Sequence, residues 1–440
     1  MIRRFLFLNC SYKFLAICLL ALAFHQSASA QCSGGSPKWT TTIDQSSVNN
    51  CISSASSGDT ITVSSGSASW SSVTIPGNKG LTLQCVSPLA CNVTGSSDGY
   101  LTINAGNTAT GSVVTGFNFS GGGNGIWIYL ATAPPYYKAP RFYNNTMTGS
   151  GTQFNVSGFG PALVDHNILT AQADAEETIH LWGGGAGCSA CWDIDVVPGS
   201  ANMTFFENNS WKASSGYCQF HEAYYGAVVV DRYNVLNGCQ FDAHGAGPST
   251  RWVEIYNNSY VSCCASSSDF DWRGGSGLYF NNTTTSRYGS TDTSIGPICG
   301  SSDSCGAYPV QYQLGMGIGG FNYSPVYVWG SDYSSTSAHS IQNSMVQLGS
   351  SPNDATHCSG LSGNTCNAIV TLTQPATLLR CESAADVSAG CPVSYAYAPY
   401  TYPHPMDNCP SATFGTVSGG CSGSAATPPN PPSGLAAIVN

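Results

Sequence analysis

An Asn in a short apolar or small-residue setting recurs along the middle of the chain at nearly constant spacing. The instances are GFNFS (Asn118), YNNTM (Asn145), DHNIL (Asn167), ENNSW (Asn209), RYNVL (Asn234), YNNSY (Asn258) and FNNTT (Asn282). Successive steps are 27, 22, 42, 25, 24 and 24 residues, and the longest reads as two steps of about 21, within the range of solenoid repeats. Each unit holds one brief β-rich run, such as RFYNNT, VVVDRYNVL, WVEIYNN or GLYFNNT, closed by Gly, Ser and Asn turns. A unit this short cannot build a sandwich sheet, and it lacks the apolar period of a helix. Coiling the chain lets each strand pair in parallel with its equivalent one turn later. The repeated Asn then stack inside the bend, where their amides satisfy one another and the turn backbone. An all-β solenoid is the expected fold.

The first thirty residues read as a secretory signal, with Arg3, Arg4 and Lys13 at a positive start, an apolar core from Phe14 to Phe24, and Ala28-Ser29-Ala30 as cleavage site. No later stretch reaches the roughly 18 apolar residues of a membrane span, so a soluble, secreted, monomeric protein is expected. Removing three basic residues from 13 leaves 10 against 23 acidic ones, a formal charge of −13. That excludes nucleic acid as partner, because its binding needs a basic footprint. Cys10 and Cys18 leave with the signal, and the remaining eighteen cysteines of an exported chain read as disulfides. Cys85 with Cys91, Cys299 with Cys305, Cys358 with Cys366 and Cys381 with Cys391 are candidate local pairs. Cys188 and Cys191 form a lone CxxC with only His180 nearby, which reads as a structural disulfide before a redox or metal motif.

Residues 46–57 place Val48, Cys51 and Ile52 on one helical face before the first strand, as a helix that covers the open N-terminal end of a solenoid. Regular coils are expected from about 60 to 285, within a single domain over 31–422. Residues 351–422 hold six cysteines and YAYAPYTYPHPM, and are predicted to form a disulfide-rich C-terminal cap; 423–440 is a Pro-rich linker or tail. In its NNT and NNS turns, its opening run GDTITVSSGSASWSSVTIPGNKGLTLQC, a His-Gly step, an Arg-Gly-Gly step and a PVYVW strand, the chain resembles secreted bacterial right-handed parallel β-helix proteins of the pectate-lyase-like superfamily. The resemblance covers most of 40–410 and implies that fold. It leaves the activity open, since the fold hosts lyases, hydrolases, esterases and inert adhesins.

The stretch 221–275 is richest in chemistry. Arg232, Arg251 and Arg273 fall there beside His221 and His244, separated by about one coil: 23 residues between the two His, 22 between Arg251 and Arg273. Equivalent positions on successive coils lie about 4.8 Å apart, so these five are predicted to form a catalytic ladder on one face. Glu222 and Glu254 interleave with them, and Tyr224, Tyr225, Trp252 and Trp272 offer flat surfaces for sugar rings. β-Elimination of a uronate polysaccharide needs a base for the C5 proton, a cation for the carboxylate and an acid for the leaving oxygen, and a stacked His/Arg/Tyr set supplies them. In the lyases that the chain resembles in fold, Ca²⁺ commonly sits on a carboxylate cluster. Asp242, Asp269 and Asp271 offer oxygen ligands for such an ion.

A plain structural reading stands beside this one: Arg251 with Glu254 and Asp271 with Arg273 pair as ordinary ions, and Asp269, Asp271 and Arg273 share a polar strand face. Asp193 and Asp195 put two carboxylates on one strand face, as an inverting hydrolase would use them. Asp174, Glu176 and Glu177 with His180 read as a solvated turn before a metal site, and the sequons at Asn144, Asn208, Asn257 and Asn281 as part of the Asn pattern before glycosylation. The functional expectation is an extracellular polysaccharide lyase acting on an acidic glycan. The alternatives are a glycoside hydrolase of the same fold and a non-catalytic glycan-binding matrix protein.

Overall fold

The computed structural model describes residues 32–284 apart from 107–110, 124, 131–137, 173–177, 185–193, 215–217, 244–249, 262–269 and 273; beyond these it describes 293–295, 324–330, 346–348, 370–371, 375–380, 383–390 and 393–407. The signal segment and the tail after residue 407 lie outside them. The chain winds as a parallel β-solenoid whose coils each add one strand to each of three sheets, of thirteen, nine and ten strands among the described residues, here called first, second and third. One coil shows the pattern. Val228–Arg232 lies in the first sheet, Val235–Asn237 in the second and Cys239–Ala243 in the third. Trp252–Tyr256 then returns to the first sheet, with Val228 beside Trp252 and Arg232 beside Tyr256.

The bend between the first and second sheets explains the Asn period. The backbone N–H of each ladder Asn donates to the side-chain oxygen of its equivalent on the next coil. The distances are 3.0 Å from Asn145 to Asn167, 2.9 Å from Asn167 to Asn209, 2.9 Å from Asn209 to Asn234, 2.9 Å from Asn234 to Asn258 and 3.0 Å from Asn258 to Asn282. Each Nδ2 also donates to a carbonyl of the preceding coil, as Asn209 does to Val164 at 2.9 Å. One fully buried amide therefore ties three coils. The residue just before each ladder Asn sits in the left-handed region: Asn144, His166, Asn208, Tyr233, Asn257 and Asn281 have φ of 53–58°. Asn is among the few side chains that tolerate this conformation. An NN pair thus does two jobs, its first Asn turning the chain and its second filling the bend. The sequons that begin at Asn144, Asn208, Asn257 and Asn281 each start on a turning Asn.

Two expectations change. Asn118 pairs in register with Thr146, one residue past the ladder, and bonds sideways to Asn92 at 2.8 Å. The ladder ends one position earlier, where Phe117 N donates to Asn145 at 2.9 Å. The 42-residue step is one coil, because Asn167 bonds directly to Asn209. The surplus residues lie in the connection from Trp182 to Thr204.

Inside the coils aromatic rings pack together: Phe117 on Phe119 of the same strand at 5.4 Å, Phe119 on Phe142 of the next coil at 5.9 Å, and Phe142 against Phe154 at 5.1 Å. At the N-terminal end the helix Gln45–Ser54 buries Val48, Cys51 and Ile52 against the first strands, and Asp44 caps it by accepting from Ser47 N. Cys85 and Cys91 are bonded as expected, and Cys32 pairs with Cys51. The other three candidate pairs and Cys188/Cys191 lie outside the described residues.

From Arg141–Tyr143 to Ser276–Phe280 the first sheet is buried on both faces. Outside it lies a second apolar core, in which Leu163, Phe205, Val230, Trp252, Tyr256, Leu278 and Phe280 pack beneath Val196, Tyr395, Tyr397, Tyr400 and Met406. The described part of the predicted cap therefore runs as a strap back along the flank of the sheet. It passes from Tyr327, whose hydroxyl accepts from Leu379 N, past Glu254, bonded by Tyr397, to Arg141, bonded to Asp407. Burial on both sides accounts for the near-continuous apolar runs of VVVDR and WVEIY.

Asn209→Ala should remove the acceptor of the Asn167 N–H and the Nδ2 donor to the Val164 carbonyl in the dry bend, lowering unfolding free energy by about 3 kcal/mol. Asn118→Ala, outside the ladder, should change it by less than about 0.5 kcal/mol. Denaturant unfolding of both variants checks this, and equal effects would contradict the ladder's role.

Candidate functional site on the third sheet

The structure disperses the predicted His/Arg ladder. His221 points into the solenoid, fully buried against Phe206 (4.2 Å) and Phe241 (5.2 Å), with Nδ1 3.6 Å from the Asp231 carboxylate. Burial pushes the His221 imidazole well below and the Asp231 carboxyl well above their ordinary values, each in the direction of its neutral form. Arg232 lies on the opposite flank under the strap. It donates to Glu207 at 2.8 and 2.7 Å, to the Tyr256 hydroxyl at 3.0 Å and to the carbonyls of Tyr400 (2.6 Å) and Thr401 (2.9 Å). Arg251 is buried at the entry to the first sheet and reaches the Ile194 carbonyl at 3.5 Å. His244, Arg273 and Asp269 lie outside the described residues, as do Asp193 and 174–177; Asp195 is described and exposed.

Glu254 takes no Arg251 partner. It accepts from Gly199 N (2.8 Å), Trp252 Nε1 (3.0 Å) and the Tyr397 hydroxyl (3.0 Å), which ties the backbone at Gly199 and the strap to the first sheet. Trp252 lies under the Arg380 guanidinium at 3.9 Å. These two predicted substrate contacts are therefore structural.

Further along the strap, Arg141 bonds Asp165 (2.8 and 2.5 Å) and Asp407 (2.7 Å), while His166 Nδ1 lies 2.7 Å from Asp165. Burial raises the Asp165 carboxyl, but Arg141 and His166 outweigh it and hold it at about 2. Burial and the neighbouring Asp165 push Asp407 up to about 6. Asp165, His166 and Asp407 converge closely enough to surround an ion, yet Arg141 already spans both carboxylates.

Of the remaining predicted residues, Glu222, Tyr224, Tyr225 and Asp242 meet on the outer face of the third sheet, whereas Trp272 pairs in register with the core residue Ala243. There the register aligns Trp127, Asn155, His180, Glu222, Asp242 and Asp271 in one column, one strand apart. A second column holds Tyr129, Ser157, Trp182 and Tyr224. A bulge shapes this face. Gln219 pairs with Gln240 and His221 with Phe241, leaving Phe220 as one extra residue. The irregularity falls just before His221, which turns inward, and Glu222, which turns outward. Tyr225 and Gly226, with φ of 49° and 78°, then reverse the chain in a tight turn closed by Ala227 N on the Tyr224 carbonyl at 2.9 Å.

That turn folds Tyr225 back toward Trp182. The Trp182 ring lies 5.3 Å from Tyr224 and 5.5 Å from Tyr225 at interplanar angles of 16° and 15°. His180 stands edge-on to Trp182 at 5.0 Å, and its Nε2 is 3.8 Å from Glu222. Trp127 and Tyr129 stack at 5.2 Å, with Tyr129 41% exposed. Asp242 is buried one strand beyond Glu222. Sequence reasoning placed Glu222, Tyr224, Tyr225, Asp242 and Asp271 among site residues but missed Trp127, Tyr129, Asn155 and Trp182. The alternation IWIY and IHLW was the available signal, since inward Ile and Leu fix the other residues outward.

A solenoid with carboxylates and aromatic rings aligned along one sheet defines the class of protein: a parallel β-helix with a polar-aromatic face. No family model matches the sequence, and no curated protein matches it significantly. Among solved structures it is similar to a PL6-family polysaccharide lyase from Pseudopedobacter saltans, at 15% identity and a TM-score of 0.30, over 76% of this chain and 96% of that one. The PL6-family alginate lyase AlyGC is similar at 13% identity and TM-score 0.30, over 83% of this chain and 57% of that one. So is the catalytic domain of a GH87 alpha-1,3-glucanase, at 10% identity and TM-score 0.30, over 66% and 62%. At these scores no residue of this face gains a counterpart. Among the described residues, no helix is long and apolar enough to cross a membrane.

The strap cluster makes a pH prediction. Asp407 titrates at about 6 when docked, above its ordinary 3.8, so the docked strap keeps a proton that a released one gives up. Its stabilisation is complete below about pH 4 and is lost as pH rises through about 6. His166, raised above 6.5 when the opposing pull of burial is outweighed by Asp165, acts in the same direction at higher pH. Asp407→Asn removes the first contribution. The wild-type melting temperature minus that of Asp407→Asn should fall between pH 4 and 7, and a difference independent of pH would refute the assignment.

Proposed function

We propose that the protein is an exported carbohydrate-active enzyme that lays a neutral polysaccharide along the third sheet and hydrolyses it between Glu222 and Asp242. The carrying observation is the in-register column His180, Glu222, Asp242, Asp271 beside the Trp182, Tyr224 and Tyr225 rings. Aromatic faces hold sugar rings while the carboxyls act on the bond between them. Register neighbours lie about 4.8 Å apart, close to the roughly 5–5.5 Å between the two carboxyls of retaining glycosidases. One carboxyl then serves as nucleophile and the other as acid, then base, with retention at the anomeric carbon. His180, 3.8 Å from Glu222, is placed to fix the orientation of that carboxyl.

Charge decides against an unassisted acidic substrate. The described strands of this face carry no Lys or Arg, and the chain without its first thirty residues has a formal charge of −13. A uronate polymer would meet repulsion on every side. The second reading keeps β-elimination and adds Ca²⁺. Glu222 and Asp242, neighbours in one column, supply carboxylate oxygens of the kind a hard cation takes, and the ion would neutralise the uronate.

Neutral and uronate polysaccharides, each with and without EDTA, separate the two. Hydrolysis gives new reducing ends without the ultraviolet absorbance of an unsaturated product, and Glu222→Gln and Asp242→Asn each lower the rate by about 10²-fold or more with melting temperature unchanged. An unsaturated product that EDTA abolishes establishes the lyase. Full activity in both variants removes the chemistry from this face.

A further inference from the structure

We infer that the third sheet carries a second sugar-binding position, two strands before Glu222, built on Asn155 between the Trp127/Tyr129 pair and Trp182. It rests on the reading of this face as a glycan track and says where the track extends. Asn155 lies on Phe154–Ser157, flanked by Ile126–Tyr129 on one side and Ile179–Trp182 on the other. Its outward neighbours are Trp127 on the preceding coil and His180 on the next. In the adjacent column Ser157 separates Tyr129 from Trp182, so one small side chain stands between two rings. That gap is two strand spacings wide, about 9.6 Å, and is floored by polar groups.

The second observation is an unmet hydrogen bond. Asn155 is fully buried, accepts from Trp182 Nε1 at 3.3 Å through Oδ1, and leaves Nδ2 with no partner. A buried donor without an acceptor is costly, and apolar residues fill such positions without that cost. The ladder Asn residues of the same protein have their Nδ2 groups bonded. The side chain that Asn155 touches, Trp182, is only half-buried and lies at the surface of the face, so a shift of that ring opens Nδ2 to an incoming hydroxyl or ring oxygen. Aromatic faces on both sides and one unspent amide donor between them suit a neutral pyranose. A charged sugar would need a cation that the position lacks among the described residues.

About 9.6 Å separates Asn155 from Glu222 along the column. A ring held there is distal to the bond being cleaved, so its effect falls on binding of long chains and not on the chemical step. Trp127 and Asn155 are therefore specificity-determining and not catalytic.

The test is affinity electrophoresis of the full secreted chain in gels containing starch, dextran, laminarin, xylan or galactomannan, with wild type, Trp127→Ala, Asn155→Ala and Glu222→Gln side by side. For the polymer that retards wild type, Trp127→Ala and Asn155→Ala should each weaken retention about tenfold, while Glu222→Gln stays near wild type. The melting temperature of Asn155→Ala should equal or exceed that of wild type, because an unmet donor is removed; a residue kept for the fold would lower it. Retention of both variants at the wild-type level, or a large drop in melting temperature for Asn155→Ala, overturns the second position and leaves the glycan track standing. No retardation of wild type by any polymer, together with no cleavage, overturns the track and this position with it.

Discussion

The coil geometry depends on one interaction repeated five times: the backbone N–H of a ladder Asn donating to the side-chain oxygen of the Asn one turn on. A bend sharp enough to close a coil of about two dozen residues exposes backbone donors to a dry interior. The amide supplies an acceptor to the coil before it and donors to carbonyls around it, so each coil completes its neighbour. Because the ladder fixes the register at one corner, it fixes which side chains align on every sheet. The column of Glu222 and Asp242 exists because Asn209, Asn234 and Asn258 hold their coils in step.

The two long outer faces then serve different ends. The first sheet is roofed by the strap, and its Arg and Glu residues are consumed in pinning that roof; Arg232 alone bonds Glu207, Tyr256 and two strap carbonyls. Breaking a buried pair of this sort is costly even where forming it gains little, which suits residues that hold an edge together. The third sheet keeps part-exposed aromatics beside the buried Glu222 and Asp242 carboxylates, in register. A β-bulge and a tight Tyr225-Gly226 turn adjust it locally, as irregularities near binding faces often do.

Much of the fold was legible in the chain, for physical reasons. The Asn spacing is strict because a side chain that tolerates the left-handed turn must precede one that fills the bend, and DHN and RYN keep the second residue where the first is His166 or Tyr233. The 42-residue step misled because a solenoid absorbs insertions between strands without breaking the ladder. The site was half legible. The stretch 221–275 held Glu222, Asp242 and Asp271 together, but the one-coil spacing was applied to the His and Arg residues, and spacing alone cannot say which face a residue takes. One extra residue at Phe220 sent His221 inward while Glu222 stayed outward. Arg232 and Glu254 were misplaced because their partners, Tyr400 and Tyr397, lie more than 140 residues away, a separation no local pattern encodes. The unbroken apolar run around them was the clue that this sheet has no open side.

The central claim is that glycan contact belongs to the third sheet and not to the flank under the strap. Hydrogen–deuterium exchange with and without a polymer that retards the protein tests it most directly. The account predicts slowed exchange in peptides covering Phe154–Ser157, Ile179–Trp182 and Cys218–Tyr224, with Val228–Arg232 and Trp252–Tyr256 unchanged. Protection confined to the first-sheet strands and residues 393–407 would contradict it.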